Sequence, residues 1–113
     1  MRKVRPDMDE AVKRELEIIK EGILQTVSAE AIYLFGSYAY GTHHADSDLD
    51  IYVVVPDSVA DPLDLGVAIR KSLRYKRRLP MDLLVGRSSV FHRRKEGLTL
   101  ENTIAKEGVR IYG

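Results

Sequence analysis

The chain has 113 residues, 44% of them apolar, no cysteine and a net charge of +1. Its length suits one compact domain with one core, with no room for a second. Disulfides and thiolate zinc sites are excluded, so any metal must be held by oxygen or imidazole, and a reducing compartment is permitted. No apolar run approaches the roughly 20 residues of a membrane span, and the charged start Met1-Arg2-Lys3-Val4-Arg5-Pro6 lacks the apolar segment of a secretory signal. These features point to a cytoplasmic protein with no membrane association.

Asp7 after Pro6, with Glu10 three residues on, resembles a capping box. Met8, Val12, Leu16, Ile19, Ile23 and Val27 then recur at helical spacing and predict a helix over about 8–27. Ala31 to Phe35 reads as a short strand ended by Gly36-Ser37, and Leu49 to Val55 as a β-branched strand ended by Pro56. Asp61 as N-cap and Pro62 at the first helical position open a second helix, with Leu65, Ala68, Ile69 and Leu73 on one side, reaching Tyr75 or Lys76. Pro80 to Gly86 reads as a third strand that places Asp82 among apolar neighbours, where an unpaired carboxylate is costly to bury. Ser88 can cap a short helix stopped by Gly97, and Thr99 to Lys106 can form another ended at Gly108. Val109 to Tyr112 remains as an edge strand. The order implies an α/β (α+β) arrangement, a small sheet with helices packed on it. There is no repeat, linker or low-complexity tract.

The segment between the first two strands carries the chemistry. Asp48 and Asp50 are separated by one residue, and on a strand such a pair points to one face and can share a divalent cation. With Asp82 from a neighbouring strand they make an oxygen-only set suited to Mg²⁺. Three such charges tolerate full ionisation only with cations among them, so the unliganded cluster should be loose. Gly36 and Ser37 free backbone N–H groups and a hydroxyl to approach phosphate oxygens, and Gly41 supplies a bend that returns the chain towards Asp48. Under nucleotidyl transfer Asp82 would be the general base.

Charge is segregated along the chain. Residues 21–69 hold no Lys or Arg and eight acids, whereas residues 70–95 hold ten bases against Asp82 alone. Arg70, Lys71, Arg74, Arg77 and Arg78 could neutralise a triphosphate or face a partner, or simply form a solvated helix face. Interleaved aromatic residues are missing, which argues against a nucleic-acid platform. His43 and His44 share a loop with Asp46, where a metal could bind but exposed loop histidines are commoner, and His92 reads as a surface residue. Tyr38 and Tyr40 could stack on a base or accept a nucleotidyl group, but covering the sheet edge is favoured.

The pattern G-S-x-x-x-G at Gly36-Ser37 and Gly41, then Ser47-Asp48-x-Asp50, then a strand acid at Asp82, resembles the active-site signature of the DNA polymerase β-like nucleotidyltransferase superfamily. Within it the chain is similar, over roughly residues 8 to 112, to the minimal nucleotidyltransferase (MNT) group, the antitoxins of HEPN/MNT toxin–antitoxin pairs. The resemblance implies a polymerase β-like fold with a small mixed sheet, and transfer of a nucleoside monophosphate, usually AMP from ATP, to a hydroxyl with release of pyrophosphate. It implies phosphate binding at Gly36, Ser37, Gly41 and Ser47, two Mg²⁺ ions on Asp48, Asp50 and Asp82, and a tyrosine of a HEPN-domain toxin as acceptor. Members commonly carry Arg where Tyr40 stands, which removes one charge for a triphosphate. Two other readings remain open: transfer to a small hydroxylated molecule, and a non-catalytic nucleotide-binding module that neutralises a partner by occlusion.

Overall fold

In the computed structural model, which describes residues 2–3 and 8–113, five strands form one mixed sheet with helices on both faces. In chain order the elements are β1 (Arg2–Lys3), α1 (Glu10–Thr26), β2 (Ala31–Phe35), α2 (Ser37–Tyr40), β3 (Leu49–Val55), α3 (Pro62–Leu73), β4 (Met81–Arg87), α4 (Ser88–Arg94), α5 (Leu100–Glu107) and β5 (Val109–Tyr112). The sheet order is β1-β5-β2-β3-β4. β2 is antiparallel to β3 and β5, whereas β3 and β4 run parallel, as do β1 and β5. A parallel neighbour demands a crossover, and α3 supplies it between β3 and β4.

α1 is capped by Asp9, whose side chain accepts from the Ala11 N–H at 2.7 Å. The capping residue expected from the sequence, Asp7, lies outside the described residues. Val12, Leu16, Ile19 and Ile23 are buried as their spacing requires. They join the odd-numbered side chains of β3 (Leu49, Ile51, Val53, Val55) and α3's Ile69 and Leu73 in the larger core. On α3, Asp61 caps as expected, accepting from Leu63 at 2.9 Å, but Gly66 is buried and Ala68 exposed, and the helix ends at Leu73. The opposite face carries the smaller core, in which Tyr33, Tyr52 and Val54 pack under Phe91 of α4 and Ile104 of α5. The Phe91 ring lies 5.6 Å from Tyr33 and 5.4 Å from Tyr52, centroid to centroid.

Other boundaries shift by a residue or so, each for a local reason. β4 starts at Met81 because Pro80 has no N–H to give, and the Pro80 carbonyl instead accepts from Leu49 at 2.9 Å. Ser88 is the first helical residue of α4, its hydroxyl engaged with Glu30 instead of capping, and the helix ends at Arg94, short of Gly97. Thr99 is the N-cap of α5, accepting from Asn102 at 3.1 Å. β5 is not an edge strand: it is second in the sheet, between β2 and β1.

Candidate active site

Register places the acids. Phe35 pairs with Asp50, and Asp50 with Asp82, so that a row Phe35–Asp50–Asp82 crosses three strands on the face that carries the smaller core. The next row is Arg110–Tyr33–Tyr52–Leu84. α4 and α5 cover the sheet from Tyr33 and Tyr52 onward, whereas Asp82 is exposed and Leu84 remains 41% exposed. The cost of burying Asp82 that the sequence raised is thereby avoided: its apolar neighbours Met81 and Leu83 point to the other face.

Asp48 is exposed and immediately precedes β3 instead of lying in it. The three carboxylates nevertheless act on one another: burial, then Asp82, then Asp48 push the Asp50 carboxyl above the ordinary aspartate range. Among the described residues, no three His, Asp or Glu side chains converge into a preassembled metal cage. The donor set itself, all carboxylate and on one open face, fits a hard divalent cation.

The turn between β2 and β3 is built against Asp50. Gly36 has φ +75° and caps α2, and its carbonyl accepts from the N–H groups of Ala39 and Tyr40 at 3.0 and 3.2 Å. A Cβ at Gly36 would stand 2.0 Å from Asp50 Oδ2, so only glycine lets this turn approach the carboxylate. Ser37 begins α2 half-buried, and its hydroxyl has no hydrogen-bond partner among the described residues. The helix start also leaves its first N–H groups without intrahelical acceptors. Gly41 ends α2 at φ +77° with open space around its Cα. Ser47 closes the following loop, its hydroxyl accepting from His44 N–H at 2.9 Å and its own N–H donating to the His44 carbonyl at 3.0 Å.

The loop histidines serve structure. His43 stacks on Tyr38 with ring centroids 4.2 Å apart, and His44 Nδ1 accepts from the Asp46 N–H at 3.2 Å. Tyr38 is buried in the larger core and Tyr40 packs against it, so both cover the sheet end. Arg70 donates to the Leu83 carbonyl at 2.7 Å and Arg77 to that of Leu79 at 2.9 Å, so both brace the backbone around β4. His92 contacts Glu30 at 3.1 Å. A depression of about 540 Å³ beside α1, lined by Ala11, Arg14, Glu15, Ile18, Arg78 and Leu79, contains none of the three acids.

Sequence spacing missed a network above the second row. The Tyr52 hydroxyl donates to Glu101 Oε2 at 3.1 Å, and Arg94 Nε donates to Glu101 Oε1 at 3.1 Å. Burial pushes the Glu101 carboxyl up, but a backbone hydrogen bond, Arg94 and Tyr52 outweigh it and hold the group below the ordinary glutamate value. Burial and the Glu101 charge raise the Tyr52 hydroxyl. The partners are up to 49 residues apart, beyond any local pattern.

The nucleotidyltransferase domain family matches residues 16–111. Three solved structures share the fold. A nucleotidyltransferase assignment from Sulfolobus solfataricus has 22% identity and a TM-score of 0.57, covering 95% of this chain and 90% of that one. A toxin-antitoxin structure with AMP-PNP has 22% identity and a TM-score of 0.56, covering 87% and 73%. A toxin-antitoxin MntA-HpeT mutant with two Asp-to-Glu substitutions has 23% identity and a TM-score of 0.56, with the same coverage. No curated protein sequence matches the chain.

Proposed function

Since the chain belongs to the nucleotidyltransferase domain family, we propose that it transfers AMP from ATP to a hydroxyl of a partner protein, a tyrosine of a HEPN-domain toxin, and so acts as an antitoxin. The observation that carries the reading is the Asp50–Asp82 pair, side by side in parallel register on an open face, with the Gly36 turn against Asp50. The toxin-antitoxin structures of similar fold, one of them with AMP-PNP, support the nucleotide and the partner.

Asp48, Asp50 and Asp82 would hold Mg²⁺, two ions in the full complex, which when bound neutralises phosphate charge and makes a coordinated hydroxyl more acidic. Ser37 would donate its hydroxyl to a terminal phosphate oxygen, with the Gly36 backbone beside it; Gly41 and Ser47 would shape the loop around the phosphates. Asp82 accepts the acceptor's hydroxyl proton. The acceptor oxygen then bonds to the α-phosphorus as the bond from that phosphorus to the α,β-bridging oxygen breaks, and pyrophosphate leaves. An open face suits a large acceptor, because a partner surface can complete the site.

The test incubates the protein with α-labelled ATP, Mg²⁺ and its co-encoded or co-purifying partner, beside the Asp48→Asn/Asp50→Asn variant. Label should pass to a partner tyrosine with the native chain alone. Equal labelling by the double variant would remove the proposal. Label on a small hydroxylated compound only would replace the protein acceptor, and inhibition of the partner by the double variant would favour occlusion without chemistry.

A further inference from the structure

We propose that the acceptor segment of the partner docks as an added strand on the open edge of β4, its accepting hydroxyl residue opposite Asp82; this rests on the nucleotidyl-transfer reading. β4 is last in the sheet and has one strand neighbour, β3, among the described residues. The Leu49 N–H donates to the Pro80 carbonyl in the register Leu49–Met81, so the even-numbered residues of β4 bond towards β3. Met81, Leu83 and Val85 therefore turn their backbone groups to the open edge. A seven-residue edge of this kind is a template for strand addition unless something guards it.

The row that carries the acids runs out to that edge. Phe35, Asp50 and Asp82 follow one another across β2, β3 and β4. A residue opposite Asp82 on an added strand would have its Cβ about 5 Å from that of Asp82 and on the same face. A tyrosine there, laid across β4, brings its hydroxyl to the proposed base and leaves the Asp50 side to the nucleotide. Leu84 lies two residues from Asp82 on the same face and is 41% exposed. The partner residue two places from the tyrosine would cover it and should be apolar.

Charge sets the residue between them. α3 runs alongside β4: a Cβ at Gly66 would lie 3.6 Å from Val85 Cγ2, and Arg70, one turn on, donates to the outward Leu83 carbonyl at 2.7 Å. Four helical residues advance about 6 Å and two strand residues about 6.6 Å, so Arg74, a further turn on, comes beside Met81. Arg74 is exposed, and its side chain makes no hydrogen bond among the described residues. Residues 66–95 hold no acid besides Asp82. Alternation turns the partner residue between the tyrosine and the apolar residue towards α3, where an acid meets Arg70 and Arg74. Without a partner Arg70 holds the Leu83 carbonyl, a charged guard against neutral or basic strands, and an acidic residue draws the guanidinium off and frees the carbonyl. A second copy of β4 would set the arginines of α3 against their own kind. The occupant is therefore an extended segment of another protein with the order hydroxyl, acid, apolar.

The experiment follows label from α-labelled ATP to the co-encoded or co-purifying partner with the native chain, Arg74→Glu and Leu84→Asn, each checked for its thermal midpoint. Alongside it, hydrogen exchange of the full chain is measured with and without the partner. Each variant should raise KM for the partner about tenfold with little change in kcat, as for losing one complementary contact at an interface. The amides of Leu83 and Val85 should gain protection when the partner binds. Partner binding without protection of β4, or native KM in both variants, overturns the inference and leaves nucleotidyl transfer standing. Protection of β4 that rises with the concentration of the chain alone assigns the edge to a second copy and also overturns it. Should Leu84→Asn not fold, the exposed Arg74→Glu decides alone. If the native chain passes no label to the partner, transfer to a protein falls and the inference with it.

Discussion

Gly36 and Gly41 have nearly the same backbone conformation, at φ +75° and +77°, yet their surroundings differ. A side chain at Gly36 meets Asp50 Oδ2, whereas at Gly41 nothing lies within 4 Å. Gly41→Ala should therefore cost about 1–2 kcal/mol through the left-handed backbone penalty and lower nucleotidyl transfer only as far as it reshapes the loop around the phosphates. Gly36→Ala adds the displacement of a proposed metal ligand and should lose transfer. Urea denaturation beside the labelled-ATP assay checks both; equal activity in the two variants would separate Gly36 from the site. The two glycines look alike in sequence, as ordinary turn residues, because the clash partner of one of them sits on another strand.

Between elements, the buried Glu15 decides how the strand bearing Asp82 begins. Its carboxylate, on α1 and 4% exposed, accepts the backbone N–H groups of Arg78 and Leu79, the latter at 2.9 Å. The link ties α1 to the segment entering β4. Glu15→Ala leaves both donors unpaired in a partly buried place, at a cost of about 1–3 kcal/mol for each that water does not reach. Denaturant midpoints should fall accordingly, and a midpoint unchanged from the native chain would show that water replaces the carboxylate. The helical spacing of α1 was legible from its apolar residues, and the cap of α3 from Asp61. Glu15 was not: it lies on the buried side of α1 by position, but its partners are more than 60 residues away. The place of β5 was equally hidden, because a short apolar run does not say how many neighbours it has.

The whole molecule concentrates acids on one open end of its sheet, and this has a consequence for stability. Asp50 has a raised pKa in the fold, so the folded chain retains a proton there that the unfolded chain has released. Its contribution therefore opposes folding increasingly as pH rises through the upper carboxylate range. Without Mg²⁺, Asp50→Asn should raise the thermal midpoint at neutral pH by about a few degrees and have less effect below pH 4. Thermal melts of both proteins at the two pH values test this, and a destabilised variant at neutral pH would contradict it. The same substitution should remove transfer, so that stability and activity move in opposite directions.

Sequence alone determined the alternation of helices and strands and the glycine turn, because each is written in short-range periodicity or spacing, and it proposed the three acids as a set. Their assembly belongs to the tertiary structure. The parallel pairing of β3 with β4 brings Asp50 opposite Asp82 across residues 51–81. The crossover through α3 imposes that pairing, while packing of α4 and α5 over only part of the face leaves the acids open. The Tyr52–Glu101–Arg94 network likewise exists only after the smaller core has closed, since burial makes a carboxylate's hydrogen bonds obligatory and no local pattern records which distant donors will satisfy them.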